Sequence, residues 1–132
     1  MNQATPAKQT IPSLEQQRSQ AAWTMAQQGV TSQAGKKYTN LAKAAPALIM
    51  QNGLLQTLAF YESKNEAQHQ QLSQHLRRWI NLRINGIDKD PGFRPLVDAL
   101  LGSSSADYRL ATQEALLLLR WLRQFAAALG RD

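Results

Sequence analysis

Apolar residues in this chain recur at intervals of three and four almost from end to end. Nowhere do they alternate long enough to line one face of a strand. That spacing leaves the α-helix as the one regular element available. With 132 residues, 43% of them hydrophobic, the chain can bury one core without covalent staples. The expectation is an all-α fold, a compact bundle of about five to six helices with a long C-terminal helix. Residues 1–12 are polar and carry two prolines, so they read as a flexible N-terminal tail, and 13–132 as a single helical domain. The start does not resemble a signal peptide, and no apolar run reaches the ~18 residues of a membrane span.

The helices can be placed from their punctuation. Ser13 and Gln16 have capping-box spacing, and Gly29 is the expected stop, giving a first helix from Ser13 to Gln28. Its apolar stripe is Leu14, Ala21, Ala22 and Met25. Arg18 falls on that stripe, where its head either snorkels, meets a carboxylate, or points into a groove for a phosphate. Ser32 is the expected cap of a second helix ending at Ala45, with Pro46 forcing a break. A third helix then runs from Ala47 to about Ser63. Its apolar period stays in phase across Asn52-Gly53, so one helix is kept there. Close approach by another helix, or by a partner's backbone, would account for the glycine. Leu48, Leu54, Leu55, Leu58, Ala59 and Phe60 make this helix apolar nearly all round and hence central.

A fourth helix begins near Ser63 or Asn65 and ends at Asn85-Gly86, with Leu72, Leu76, Trp79 and Ile80 inward and Arg77 and Arg78 outward. Residues 86–92 form a loop, and Phe93 to Leu101 a short helix. The last helix starts near Ser104 or Ser105 and ends at Leu129. Tyr108, Thr112, Ala115, Leu119, Leu122, Ala126 and Leu129 form its seam, widened by Leu116, Leu117 and Leu118. Arg109, Arg120 and Arg123 share a sector of roughly 60° away from that seam. They form either a phosphate rail or an ordinary solvated flank. Glu114 stands about 80° off the seam, where it could pair with Arg18.

Little in the chain is suited to catalysis. There is no cysteine, which excludes disulfides, zinc–thiolate sites and thiol nucleophiles and is compatible with a cytoplasmic setting. His69 and His75 are six apart, on different faces of a helix, and read as exposed surface histidines without a shared metal. Asp88 and Asp90 flank Lys89 without the ligand count of a calcium loop. No glycine-rich phosphate loop follows a strand, and no nucleophile stands beside an obvious base. No metal, cofactor, small-molecule substrate or catalytic residue is expected. The net charge of +6 admits a polyanion as partner, and equally a merely soluble basic domain. Lys36 and Lys43, seven apart, share one helical face.

Three segments carry a family resemblance. They are Leu14-Glu15-Gln16-Gln17-Arg18; the string from Lys37-Tyr38 through Leu41, Lys43, Ala45-Pro46, Ile49 and Asn52-Gly53 to Phe60; and Ala111-Thr112, Glu114-Ala115, Leu118-Leu119, Trp121, Arg123 and Phe125-Ala126. Together they resemble the small-subunit family of the Cmr complex, the type III-B CRISPR effector of antiviral defence. Residues 65–104 match poorly. The resemblance implies a non-catalytic subunit that stacks with copies of itself into a filament beside the backbone subunits, with basic faces lining the channel where guide RNA and target RNA pair. It places Arg18, Lys37, Lys43 and Arg123 at matching basic positions. Lys36, Arg77, Arg78, Arg109 and Arg120 join the RNA-binding candidates on charge and face alone. Asn52, Gly53 and Glu114 are assigned to packing or a subunit contact. The competing reading is a stand-alone, non-specific nucleic-acid-binding helical domain.

Overall fold

Ser13 opens the first helix as its capping box predicts. Its Oγ accepts from the Gln16 N–H at 3.1 Å, and Gln16 Oε1 accepts from the Ser13 N–H at 2.7 Å. The computed structural model describes residues 11–130, so the expected tail lies almost wholly outside the described residues. Six helices follow: α1 Leu14–Thr31, α2 Gly35–Asn52, α3 Leu54–Lys64, α4 Ala67–Asn85, α5 Phe93–Leu101 and α6 Ser105–Leu129. None of them is long and apolar enough to cross a membrane.

Several boundaries differ from expectation, and packing explains the first of them. Gly29 does not end α1; it is buried in the helix, where the Tyr38 ring occupies the space a Cβ would need. The helix ends instead at Ser32, whose N–H and hydroxyl both donate to the Gly29 carbonyl. Ser32 therefore caps the end of α1 rather than the start of α2.

Pro46 does not break α2. The helix runs through it to Asn52 and buries Tyr38, Ala42, Ala45 and Ile49 as one stripe on both sides of the proline. An interior proline costs roughly 3 kcal/mol. Four buried positions in register offset that more readily than a reorientation of the chain would. The break falls instead at Gly53, whose φ of 90° and ψ of 163° suit glycine alone. Gly53 donates to Ile49 to finish α2, and its carbonyl accepts from Thr57 to begin α3. The Leu55 N–H, left over in the first turn of α3, donates to the Tyr108 hydroxyl of α6 at 3.3 Å.

The new helix α3 is amphipathic rather than apolar all round: Leu54, Thr57, Leu58 and Tyr61 are buried, while Ala59 and Phe60 are exposed. Asn65, in the left-handed conformation, closes it, and α4 begins at Ala67, two to four residues later than the expected Ser63 or Asn65. Leu72, Leu76, Trp79 and Ile80 all face the core as predicted, and α5 and α6 keep their expected bounds. Ser104 caps α6 by accepting from the Asp107 N–H at 3.1 Å. At about 1.5 Å per residue its 25 residues make it the longest element, and it packs against α1, α2 and α4. The core is centred on Ala111, Ala115, Leu118, Leu119, Leu122 and Ala126 of this helix.

Candidate nucleic-acid interface

The basic side chains divide into those tied to carboxylates inside the fold and those left to solvent. Arg18 belongs to the first group. Its Nε and Nη2 donate to Glu114 Oε1 and Oε2 at 3.1 and 2.8 Å, the pairing that the two off-pattern residues foretold. Glu114 is 2% exposed and also accepts from Trp79 Nε1 at 3.2 Å, with Arg83 Nε 3.5 Å away. Burial pushes the Glu114 carboxyl up. The Arg18 fork, the Arg83 charge and the Trp79 N–H outweigh it and hold the group below the usual carboxylate range.

Arg77 was expected to face outward, and it does not. It is 7% exposed, forks onto Asp90 at 2.8 and 2.9 Å, and lies within 3.8 Å of Glu62. Arg78 is exposed as expected, yet forks onto Asp88 at 2.7 and 3.2 Å. Asp90 also accepts from the Gly92 N–H, and Asn81 donates to the Lys89 carbonyl. Three side chains of α4 thus hold the 86–92 loop. Asp88 and Asp90 are anchors that sequence reasoning noted but did not connect to Arg77 and Arg78, because the loop's return onto α4 is a tertiary event.

The histidines correct a second expectation: both are buried. The His75 Nε2–H donates to Gln28 Oε1 at 2.9 Å, and Nδ1 accepts from the Tyr38 hydroxyl at 2.7 Å. Burial, with help from the Arg78 charge, lowers the imidazole to about 4, so the ring is a neutral strut between α1, α2 and α4. The polar residues around it in the chain gave no signal of this role. Among the described residues no three metal-ligating groups converge.

Lys36, Lys37, Lys43, Arg109, Arg120 and Arg123 form the second group. All are exposed, and none meets a carboxylate among the described residues. Lys36 and Lys43 line a depression of about 280 Å³ together with Ala127 and Gly130 at the end of α6. Ala127 follows Arg123 by four residues and Arg120 by seven, so these side chains leave α6 on one side. Lys36 and Lys43 of α2 and Arg120 and Arg123 of α6 therefore share a face, while Lys37 and Arg109 are exposed elsewhere. Asn52 is exposed at the α2–α3 break.

Six helices built around one long member, α6, with internal carboxylates locked by arginines and unpaired cations along one face, define a small all-α bundle protein. This chain belongs to the CRISPR-associated Cmr5 family, whose model matches residues 14–129. It is 27% identical over 110 residues to the CRISPR system Cmr subunit Cmr5 of Thermus thermophilus, covering 83% of this chain and 90% of that one. It is also similar to the crystal structure of a CRISPR-associated Cmr5 family protein from the same species. The TM-score there is 0.73 at 26% identity, covering 90% of this chain and 98% of that one.

Proposed function

We propose that this chain is a non-catalytic small subunit of the type III-B CRISPR Cmr effector complex. It stacks with copies of itself beside the backbone subunits in the cytoplasm and faces guide and target RNA with its α2–α6 surface. Family membership supports the subunit role, as does the Thermus relative, which is named a Cmr subunit. The observation that carries the RNA contact is the sorting of the cations. Lys36, Lys43, Arg120 and Arg123 stand unpaired along a common face, while Arg18 and Arg77 are engaged by Glu114 and Asp90 and leave the proposed contact set. Phosphates need charge without base readout, which flexible lysines and arginines on helices supply. The non-catalytic role is supported by the state of the titratable groups. His75 is held between Tyr38 and Gln28, and Glu114 and Asp90 are each held by an arginine. Stacking needs two different surfaces per protomer, and exposed Met50 and Leu101 offer apolar area for it.

The test is charge reversal in the assembled complex. Lys43→Glu with Arg123→Glu leaves assembly intact and loosens target RNA at least tenfold at physiological salt. Unchanged retention in an intact complex removes this face from the RNA channel.

A further inference from the structure

The side of the bundle built by α1 and α4 carries a groove of about 640 Å³, continued by a depression of about 370 Å³ that shares Gln28, Arg78 and Asp88 with it. In a chain of net charge +6, this surface is nearly free of net charge. The larger groove has two charged lining residues, Arg78 and Asp88, and they are bonded to each other. Its rails are amides: Gln16, Gln17, Gln20 and Gln28 along α1, continued by Gln71 and Gln74 of α4. Several have one end engaged within the chain, as in Gln17 to the Pro12 carbonyl and Gln71 to the Gln28 carbonyl. Gln20 and Gln74 have both ends open among the described residues. Met25 and Trp79 floor the groove, and both are buried.

One wall is made rigid in advance. The 86–92 loop would ordinarily be mobile. Here the Arg77–Asp90 and Arg78–Asp88 forks and the Asn81 bond to the Lys89 carbonyl hold it, and Asp88 lines the groove itself. A preset wall lowers the ordering cost of an incoming partner.

We infer that this groove docks an extended, uncharged segment of a neighbouring protein subunit. Resting on the subunit reading above, this adds a second surface chemically opposite to the cationic one. A polyanion would find no net charge here. A helix, with its own amides paired, would have no use for rails that both donate and accept. An extended backbone presents N–H and C=O groups in alternation, which glutamine side chains can match, and its apolar side chains can rest on the half-buried Ala21 and Leu82.

The test places a photo-crosslinking phenylalanine analogue at Gln20, and separately at Gln74, in the tagged full chain recovered from cells with the assembled complex. The inference expects a nuclease-resistant, protease-sensitive adduct between each position and a different polypeptide of the complex. It also expects that Thr24→Trp, which fills the groove from an exposed position, weakens the adduct at Gln20 at least fivefold. A recovered complex with no adduct, with an RNA adduct, or with an adduct to another copy of this chain or to its own residues overturns the groove assignment alone. Recovery of the tagged chain with no other subunit overturns the subunit reading and the groove's partner together.

Discussion

Arg18 and Glu114, 96 positions apart, are joined by two parallel hydrogen bonds across the α1–α6 contact. Each looks misplaced on its own helix, a charge on or near an apolar stripe. Together they form a desolvated fork whose carboxylate also takes Trp79. Removing Arg18 leaves the buried Glu114 carboxylate with only Trp79 and Arg83 beside it. Removing Glu114 leaves the part-buried Arg18 with only the exposed Glu15 and strips Trp79 and Arg83 of their partner. Glu114→Ala should therefore cost about 3–5 kcal/mol in urea unfolding, and Arg18→Ala somewhat less, because Arg83 stays nearby. The double variant should lose about 1–3 kcal/mol less than the sum. Additive losses would show that the two act independently.

Stability should decline with acid in two stages. His75 has an ordinary value near 6.5 and a folded value near 4, so between those pH values the unfolded chain takes up a proton that the folded one refuses. Stability from this group is complete above pH 6.5 and falls as pH drops towards 4, at up to about 1.4 kcal/mol per pH unit. Glu114 and Asp90 are held below their ordinary values of 4.5 and 3.8. Their contribution is present above those values and is lost as pH falls through the lower folded ones. Denaturant midpoints measured from about pH 7 to about pH 3 should show both stages, and His75→Phe should flatten the first.

Gly29→Ala should destabilise, although alanine is the better helix former by roughly 1 kcal/mol. The new methyl would overlap the Tyr38 ring, for a cost of about 1–3 kcal/mol. Pairing it with Tyr38→Leu should give less than additive loss in thermal melts. Gly53→Ala meets no such neighbour, and its cost, about 1–3 kcal/mol, should be independent of Tyr38 because it arises from the positive φ.

The free chain should bind single-stranded RNA weakly and without sequence preference. Its affinity should fall linearly on a log–log plot against salt, as expected when cations displace condensed counterions. Lys43→Glu should reduce that slope by about one phosphate contact. A salt-insensitive, sequence-selective footprint would contradict binding through the α2–α6 face.

Periodicity and side-chain capping were enough to read the fold class, the α5 and α6 bounds, the capping box at Ser13 and the inward face of α4, because each of these is a local property of the chain. Arg18 and Glu114 could be read as mutual partners for the same reason: each broke its own helix's pattern. Other features waited on how the helices meet. Pro46 stays inside α2 because the stripe from Tyr38 to Ile49 is buried on both sides of it, and Gly53 breaks the chain where Tyr108 arrives to accept a stranded N–H. Arg77 turns inward because a distant loop returns Asp90 to it, and His75 is buried because Tyr38 and Gln28 close over it. In each case the deciding partner comes from another element, and helical periodicity carries no information about which elements will meet.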